Sequence, residues 1–540
     1  MRWPDVVPVV VALACVVALA GLASAGQAEP SLVAVYPNPV ADGDAGEFVV
    51  LSVPPGSDLE HLTLGDSEAQ VSLSNATEPR HPHTTDSTGR RRMTLSTDPN
   101  ATRTLLDRPV WSLPDGLQLA NSGEHLRLTR NGTVLDTLEY RDAPEGKHRD
   151  ATGDWRPLGA TERPVVSAGG GRVTAFTLPD TPDLPLDVLR AGEDRILLAG
   201  YTLTSGRVAD ALVAAHERNV TVRVLVDADP VGGMSRQQAS VLTRLDRAGI
   251  EVSLLGGDRA RYAFHHAKYA VVDESAVVTT ENWKPAGVGG NGSRGWGVVI
   301  RQPAIVEGLA ETFRADAGWR DARSWQRVRQ TVEPTESSPA NESYPSQFEP
   351  GQFEVERTHL LVAPDNAEDR LVSLIGNASE SVAIEQVSLG SERQPFVRAT
   401  LDAARRGVEV RILLSGAWYV REDNERLVKR LNERASRENL PLEARIADPN
   451  GRYGKIHAKG LVVDGDQAAV GSLNWNNNSA RRNREVVLVL EGTEVGEYFQ
   501  RVFDADWQGG QWYLPVGVVV ALAVVVALAV ARGGQIRFER

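Results

Sequence analysis

One eight-residue pattern, His-x-Lys-x-x-x-x-Asp, occurs twice in this chain of 540 residues, at matching places in a repeated α/β unit. Its residues are His266, Lys268 and Asp273 in the first copy, and His457, Lys459 and Asp464 in the second. The chain contains only 10 His and 6 Lys, so even one such match by chance is on the order of one in a hundred. The duplication therefore predicts two similar halves that each contribute to one site.

Strands and helices are predicted in the same order around both copies. In residues 172–325 the segments are ILLAGYTL, VADALVAAHERN, VTVRVLVD, RQQASVLTRLDRAG and IEVSLL. In residues 351–508 they are SVAIEQVSL, FVRATLDAARRG, VEVRILLSG, ERLVKRLNERASRE and LEARIAD. Strands that alternate with helices of about 12 residues predict βαβ-type layers and a mixed sheet in each half. The Pro/Glu/Ser-rich residues 326–350 are expected to be a linker.

Residues 30–160 have the pattern of an all-β sandwich. Short alternating runs, such as Glu47–Leu51 and Glu124–Thr129, are separated by Gly, Asn, Asp and Pro turns. Residues 75–103 have little apolar content, which predicts an extended or disordered insertion. No cluster of catalytic residue types occurs in this region. We interpret it as a binding or spacing module.

Both ends of the chain suggest export. Residues 1–25 end in Ala23-Ser-Ala25, which is typical of a secretory signal peptide; an uncleaved anchor helix is the alternative. Residues 512–531 are apolar and long enough for one transmembrane helix, and the Arg-rich residues 532–540 are expected in the cytoplasm. The expected protein is therefore single-pass, with its catalytic region outside the cell.

The glycosylation sequons agree with an exterior location. Eight of the 20 Asn occupy Asn-x-Ser/Thr sites, where chance gives roughly one in eight. They are Asn75, Asn100, Asn131, Asn219, Asn291, Asn341, Asn377 and Asn477, of which the last lies in a motif and is expected to be bare.

The charge balance favours a high-salt habitat. The chain carries 71 acidic against 58 basic residues, a net charge of −13, and its basic residues are almost all Arg. Such a surface is typical of halophilic proteins; a GC-rich genome that favours Arg codons is the alternative. The only cysteine, Cys15, lies in the expected signal peptide, so the mature chain would have no disulfide.

The residue types of the repeated pattern suit phosphodiester cleavage. Residues i and i+2 of a strand share a face, so the His and Lys of each copy are expected to enter the same site. Asp273 and Asp464 end the following strands, where a carboxylate can orient an imidazole. Two imidazoles and two ammonium groups can cleave a phosphodiester without a metal ion. We see no clustered Cys, His and carboxylate set for a metal, and we expect no cofactor.

The chain resembles the phospholipase D superfamily, whose signature is this duplicated pattern. Gly471-Ser-Leu-Asn474 and Glu485 after the second copy match the family's downstream GSxN and Glu. The resemblance covers about 310 residues across both repeats. Residues 31–160, through LVAVYPNPVADGDAGEFVVL and LQLANSGEHLRLTRNGTVLDTLEY, resemble the lamin tail domain, an immunoglobulin-like sandwich. The expected fold is thus a sandwich, a two-halved α/β body and a C-terminal transmembrane helix.

The resemblance implies a phosphohistidine mechanism. One His attacks phosphorus and the other protonates the leaving alkoxide, then activates water or an alcohol. Residues expected to hold the phosphate oxygens or to orient the site are Lys268, Lys459, Asn282, Ser472, Asn474 and Glu485.

The first copy departs from the family pattern. Thr279-Thr-Glu-Asn282 stands where GSxN is expected, and an alignment of GWGVVI with NREVVLVL places Gly297 opposite Glu485. Family precedent makes His266 the nucleophile, whereas Glu485 suggests that His457 is the better-oriented imidazole. We favour His266 slightly and leave the assignment open.

Several neighbouring residues have simpler interpretations. His265 is out of register and is expected to be a bystander. Trp283 and Trp475 follow the Asn of each half and are expected in the core rather than as base-stacking platforms. Arg481, Arg482 and Arg484 form either an extra phosphate site or a solvated basic patch.

Three functions fit these features. The first is a phosphodiesterase that hydrolyses or transfers phospholipid headgroups, because lipid lies nearest to a membrane-tethered site. The second is an exported nuclease, which a lamin-tail-like domain favours. The third is a surface binding protein with a degenerate catalytic body. An apolar lip near the cleft would favour lipid, and a basic groove leading to it would favour nucleic acid.

Overall fold

The computed structural model describes residues 29–509, except for 41, 67, 78–88, 107, 114–116, 151, 258–259 and 337–339. The expected signal peptide, transmembrane helix and cytoplasmic tail lie outside these residues.

The fold class expected from the sequence needs one correction. The described residues form a mixed α/β molecule with several sheets. None of their helices is both long enough and apolar enough to cross a bilayer. The fold class is therefore corrected to a mixed α/β, multidomain molecule, and the expected C-terminal transmembrane helix finds no support among the described residues.

The N-terminal domain is built from two sheets. Six strands form one sheet in the order β10-β9-β1-β2-β5-β6, and four form the other in the order β4-β3-β7-β8. The elements are β1 (Ser31–Tyr36), β2 (Phe48–Val53), β3 (Leu62–Gly65), β4 (Gln70–Ser72), β5 (Arg91–Ser96), α1 (Pro99–Leu105), β6 (Val110–Ser112), β7 (Gly123–Arg130), β8 (Thr133–Arg141), β9 (Lys147–Asp150) and β10 (Trp155–Pro157).

The two sheets share one apolar core, as expected for a sandwich. Val49 and Leu51 of β2 pack in the same cluster as Leu126 and Leu128 of β7. The expectation of an extended or disordered segment at residues 75–103 is wrong for its second part. Strand β5 lies inside the six-stranded sheet because its alternating Met93 and Leu95 are fully buried.

The first half of the α/β body contains one mixed sheet with helices beside it. Its elements are β11 (Val166–Gly169), β12 (Arg172–Leu178), α2 (Leu184–Arg190), β13 (Arg195–Gly200), α3 (Gly206–Glu217), β14 (Thr221–Asp227), α4 (Arg236–Arg247), β15 (Glu251–Leu255), β16 (Tyr269–Val272), β17 (Ser275–Thr279), β18 (Ser293–Ile300), α5 (Pro303–Ala317), β19 (Arg323–Ser324) and α6 (Trp325–Val328).

The second half repeats this order. Its elements are β20 (Gly351–Glu354), β21 (Arg357–Ala363), α7 (Ala367–Gly376), β22 (Ser381–Gln386), α8 (Pro395–Arg405), β23 (Glu409–Leu414), α9 (Arg421–Glu438), β24 (Leu442–Ile446), β25 (Lys455–Ile456), β26 (Gly460–Val463), β27 (Gln467–Gly471), α10 (Asn477–Arg481), β28 (Glu485–Glu491) and α11 (Thr493–Gln508). All ten segments predicted around the two motifs form the expected helix or strand.

The motif strands lie at equivalent central positions. Strand β16 lies between β13 and β17 in the first sheet, and β26 lies between β22 and β27 in the second. Both are buried along their whole length. Each motif therefore begins in a turn that leads into a rigid central strand.

The two halves exchange strands at their edges. Strand β11 is the first element of the first half but pairs with β21 of the second half. Strand β20 is the first element of the second half but pairs with β12 of the first. Since each sheet is completed by the segment that leads into the other half, the two halves are joined by backbone hydrogen bonds as well as by side chains.

A single apolar core lies between the halves. It includes Trp296 of β18 and Phe499 of α11, whose rings stack with centroids 4.7 Å apart. The connection between the halves also contacts the first half. Thr335 pairs with Ser235, and the Asp180 carboxylate accepts the backbone N–H groups of Gln347 and Phe348.

Candidate active site

The backbone of each half holds the motif histidine of the other half. The backbone N–H of His266 donates to the carbonyl oxygen of Arg484 at 2.9 Å. In the same way, the backbone N–H of His457 donates to the carbonyl oxygen of Arg294 at 2.9 Å. These matched contacts between halves bring the two imidazoles into one site, as the sequence predicts.

Glu485 orients the imidazole of the opposite half. The Nδ1 atom of His266 lies 2.9 Å from both carboxylate oxygens of Glu485, which is fully buried. Tyr201 packs edge-on against the same imidazole, with ring centroids 4.7 Å apart. The inference that Glu485 orients His457 is therefore wrong, because the carboxylate crosses the interface to His266.

A carboxylate that the sequence analysis missed faces the second imidazole. Oε2 of Glu281 lies 3.2 Å from Nδ1 of His457. The Glu281 side chain is fully buried, and its carboxylate oxygens accept no hydrogen bond from the described residues. This contact is less directional than that between His266 and Glu485. Each imidazole nevertheless faces a carboxylate from the other half.

Strand register explains how Glu281 replaces the missing residue. Gly295 lies opposite Leu178 in the first half, where Glu485 lies opposite Ala363 in the second. The counterpart of Glu485 is thus Gly295, and the alignment that placed Gly297 there was wrong by two residues. A Cβ added to Gly295 would lie 2.3 Å from Cγ of Glu281. The Glu281 side chain therefore fills the space that a side chain at 295 would take.

Glu281 could have been found in the sequence from two departures taken together. The first motif loses its strand carboxylate, and the variable position of its GSxN counterpart gains one. Without the strand register, these two changes look independent.

The motif lysines point into the site but are held by backbone. Nζ of Lys268 donates to the carbonyl oxygen of His266 at 2.6 Å, and Nζ of Lys459 donates to that of His457 at 2.7 Å. Nζ of Lys459 also lies 3.4 Å from Nδ1 of His457, and the remaining N–H groups of both lysines can donate to a substrate. Burial lowers the pKa of Lys268 well below its usual range and that of Lys459 to about 7, although Glu485 and Glu281 oppose this.

The pKa of both imidazoles is lowered, which favours their neutral form near pH 7. Burial is the main cause that lowers the pKa of His266 to about 4, while Glu485 acts in the opposite direction. Burial and then the surrounding lysines lower the pKa of His457 well below its usual range. A neutral imidazole is the form that can attack phosphorus.

The two motif aspartates do not orient the imidazoles. Asp273 accepts the backbone N–H groups of residues 193–195, and Asp464 accepts those of residues 379–381. These hydrogen bonds lower the pKa of both carboxyls against the opposing effect of burial. Each Asp instead fixes the loop that enters β13 or β22, beside its motif strand.

The remaining predicted site residues flank the histidines. Oγ of Ser472 accepts the N–H of Val486 at 3.1 Å, and Thr280 does the same for Trp296 at 3.0 Å. Both therefore position the strands beside the site. The buried amide oxygens of Asn282 and Asn474 accept no hydrogen bond from the described residues.

The simpler interpretations hold for most of the neighbouring residues. Trp283 and Trp475 are buried in the cores of their halves, as expected. His265 is fully buried behind the site. Both alternatives for the arginines fail for Arg481 and Arg484, because these buried side chains pair with Glu368 and with Asp316 and Asp365.

An apolar lip flanks the mouth of the site. It consists of Val231, Trp418 and Tyr419, which belong to the matching loops after β14 and β23. Val231 is 80% exposed and its N–H contacts the hydroxyl of Tyr201, while Trp418 is 89% exposed and contacts Tyr419. Among the described residues, five large hydrophobic side chains are strongly exposed, and three of them form this lip.

In the part of the chain that the structure describes, no three or more His, Cys, Asp and Glu side chains are grouped as metal ligands.

The catalytic halves match a known family. The model of the family described as "Cardiolipin synthase, PLD-like domain" matches residues 186–317 and 371–507, one match in each half. Each match contains one of the two histidine motifs.

Individual relatives agree with this family. The chain is 26% identical over 363 residues to a probable cardiolipin synthase, YwiE, of Bacillus subtilis, covering 62% of this chain and 65% of that protein. It is 26% identical over 144 residues to a mitochondrial cardiolipin hydrolase of Xenopus tropicalis, covering 27% of this chain and 62% of that one. The matches span less than two thirds of either relative.

Among solved structures, the phospholipase D family member Nuc from Salmonella typhimurium is 21% identical with a TM-score of 0.26, covering 29% of this chain and 97% of that one. Together, the two family matches and the paired histidine motifs show that residues 186–317 and 371–507, one segment in each half, are phospholipase D-like domains.

Proposed function

We propose that this protein hydrolyses or transfers phospholipid headgroups through a phosphohistidine intermediate. The observation that carries this proposal is the pairing of two neutral imidazoles from the two halves, each facing a buried carboxylate of the other half. This geometry supplies one nucleophile and one proton donor on opposite sides of a phosphate.

In the first step, Nε2 of His266 attacks phosphorus and displaces the alkoxide of one ester. Glu485 supports the attack because it accepts a hydrogen bond from the Nδ1–H group and stabilises the positive charge that develops on the ring. His457 gives its Nε2 proton to the leaving alkoxide. Because the incoming phosphate is anionic, it raises the pKa of His457 and favours the protonated form that this step requires.

In the second step, His457 takes a proton from water or an alcohol, whose oxygen attacks the phosphohistidine. The P–N bond breaks and His266 returns to its neutral form, so protons balance over the cycle. Lys268, Lys459, Asn282 and Asn474 would donate to the non-bridging phosphate oxygens and stabilise the transition state.

The apolar lip supports a lipid substrate. Val231, Trp418 and Tyr419 expose apolar side chains at the mouth of an otherwise polar site. Aromatic residues with one polar atom favour the interface between water and lipid. A headgroup that enters the site would leave its acyl chains against this lip.

A nuclease is the second candidate, and one groove favours it. A cavity of about 730 Å³ lies between the N-terminal domain and the two catalytic halves, next to Phe264 and the site. Arg103, Arg261 and Arg482 line it together with Asp227 and Asp229, and none of the three arginines has a carboxylate within ion-pair distance among the described residues. Such a groove suits a phosphate backbone.

The test compares both substrate classes on one preparation. Purified full-length protein is incubated with labelled phospholipid vesicles and, in parallel, with single- and double-stranded DNA, in EDTA at low and high salt. His266→Asn and His457→Asn are the controls, with folding checked by circular dichroism. We expect headgroup release or transfer that both variants lose.

The other outcomes separate the candidates. DNA cleavage without lipid turnover would replace the proposal with the nuclease. Full activity in either folded histidine variant would contradict the two-histidine mechanism. Trapping of ³²P on His457 instead of His266 would reverse the assignment of nucleophile and proton donor.

A further inference from the structure

Two lysines outside the repeated motifs lie beside the site. Lys455 precedes His457 by two residues on extended backbone, where β25 pairs with Ser293 and Arg294 of β18. Since alternate residues of extended chain share a face, Lys455, His457 and Lys459 are presented together. Lys284 follows Asn282 by two residues and lines a cavity of about 380 Å³ with Thr202 and Val231.

These lysines make the site unusually basic for this chain. Four of the six Lys in the protein act on His457, whose pKa is lowered first by burial and then by these charges: Lys268, Lys284, Lys455 and Lys459. The two lysines elsewhere are ion-paired: Lys147 contacts Glu368 at 3.3 Å, and Lys429 contacts Glu433 at 3.9 Å.

Neither Lys284 nor Lys455 has such a partner. Among the described residues, no carboxylate lies within 4.0 Å of either ammonium group. The ammonium of Lys455 instead lies 4.9 Å from the ring centroid of Tyr419, a residue of the apolar lip. Glu281 acts on both ammonium groups from a longer distance, but it also faces Lys459 and Lys268. Because one carboxylate cannot offset four cations, this pair of charges favours an anionic ligand.

The extra charge is confined to one side of the site. Superposition of the motifs by sequence register places Asn476 opposite Lys284 and Phe264 opposite Lys455. On the His266 side, Phe264 packs edge-on against Tyr201, and Tyr201 packs against His266. The site is therefore aromatic beside the nucleophile and cationic beside the proton donor.

We propose that Lys284 and Lys455 form a second phosphate subsite that binds a phosphate carried by the leaving alcohol. The inference rests on the proposed function, in which His457 protonates that alcohol. A leaving group that bears its own phosphate places this second anion beyond His457, where the two unpaired ammonium groups lie. The preferred lipid is thus one whose headgroup is a phosphorylated alcohol, and in transfer the preferred acceptor carries a phosphate for the same reason.

The test uses two lipids that differ by one phosphate. Vesicles of phosphatidylglycerol and of phosphatidylglycerol phosphate, diluted in the same neutral lipid, are given to the full-length protein and to the Lys284→Gln/Lys455→Gln variant. Wild type should prefer the phosphorylated headgroup in kcat/KM by about tenfold or more, and the variant should lose this preference. Hydrolysis of bis(p-nitrophenyl) phosphate, which has no second phosphate, measures how the two substitutions affect His457 itself, and the loss of preference is judged after correction for that change.

The control is Lys429→Gln, which removes the same charge from the exposed face of α9. It should keep the preference of wild type. Added salt should reduce that preference in wild type because the subsite is partly exposed.

Each failure has its own signature. If wild type cleaves both lipids without preference, or the variant loses both equally, the subsite is overturned and the lipid function stands. If wild type cleaves bis(p-nitrophenyl) phosphate but neither lipid, the proposed function fails and the subsite fails with it.

Discussion

At the scale of single residues, the two aspartates of the repeated motifs serve the loops rather than the imidazoles. Each sits at a positive φ of 51° after its motif strand and accepts three successive backbone N–H groups. Motif membership alone suggested a catalytic contact. The N–H groups that these carboxylates bind precede β13 and β22 and are far from the motifs in sequence. Their contact with the aspartates is therefore visible only in the folded structure.

Replacement of Asp273 by Asn should therefore reduce stability more than catalysis. The amide cannot accept all three N–H groups, so we expect a loss of about 1–2 kcal/mol in unfolding free energy at pH 7. Because the fold lowers the pKa of this carboxyl below 3.8, its contribution is present above that value and is lost as the pH falls below it. Urea unfolding at pH 7 and at about pH 3 measures both effects.

The activity of the same variant tests whether Asp273 also takes part in catalysis. At a temperature where it is folded, kcat should stay within about threefold of wild type. A loss of activity as large as that of His266→Asn, without any loss of stability, would restore the catalytic interpretation of Asp273.

Lys459 gives anion binding at the site a pH dependence near neutrality. Its pKa is lowered to about 7, chiefly by burial, so the ammonium loses its proton as the pH rises through that value. Inhibition by sulfate, which stays a dianion, should weaken by up to about tenfold per pH unit above 7. Inhibition constants measured from pH 6 to 9 test this.

Lys459→Arg is the matched variant, since guanidinium keeps its charge throughout this range. Its inhibition constant should depend less steeply on pH. An equal slope in both proteins would assign the titration to another group.

At the scale of secondary-structure elements, the two halves place their orienting carboxylate differently. In the first half it lies in the loop after β17, and in the second half it lies on β28, the counterpart of β18. The pair Glu281 and Gly295 stands where the second half has Leu473 and Glu485. Both arrangements place one carboxylate against the imidazole of the other half. The altered first motif is therefore a rearranged site rather than a degenerate one.

This difference between the halves predicts that Gly295→Glu compensates for the loss of activity in Glu281→Leu. Glu281→Leu should lower kcat by about tenfold to a hundredfold because His457 loses its facing carboxylate. Gly295→Glu alone should be destabilised, since its Cβ would overlap Glu281. The double variant copies the second half and should recover most of the activity lost by Glu281→Leu, as a double-mutant cycle of kcat would show.

Leu473→Ala, in the core of the second half, is a suitable control because it alters the matching position without any carboxylate. If the double variant is folded but no more active than Glu281→Leu, Glu281 does not act as the replacement for Glu485.

The order of elements in the α/β body was predictable because apolar periodicity depends on neighbouring residues. The partners of the catalytic groups were not, since they come from contacts across the two halves. Glu485 was found by its motif but assigned to the wrong histidine, and Glu281 was overlooked. Strand β5 was missed because only two of its side chains, Met93 and Leu95, carry its apolar pattern.

At the scale of the whole molecule, buried arginines connect the parts. Arg484 pairs at 2.9 Å with both Asp316 of the first half and Asp365 of the second, and it also contacts Thr161, which follows the N-terminal domain. Arg294 pairs with Asp180 of the first half and with Asp506 of the second. The backbone carbonyls of these two arginines hold the motif histidines, so the ion pairs and the site depend on each other.

Arg484→Met should destabilise the body as one unit. Removal of this side chain leaves Asp316 and Asp365 buried without their partner, which costs about 3–5 kcal/mol. We expect a lower midpoint but a single shared transition for both catalytic halves, measured by denaturant unfolding with proteolysis of each half as a second probe. Independent melting of one half would contradict this coupling.

The exchanged strands have a consequence for synthesis on the ribosome. The sheet of the first half ends at β12 until residues 351–354 arrive to cover that edge as β20. Strand β11 is synthesised earlier and has no partner strand until β21 of the second half has been made. The nascent chain thus carries two unsatisfied strand edges while about 180 further residues emerge, and such edges readily pair with neighbouring chains. Nascent chains on neighbouring ribosomes of one message should therefore tend to associate through these edges. Chaperones that hold nascent chains should improve the yield of native protein more than they do for a fold whose halves form independently.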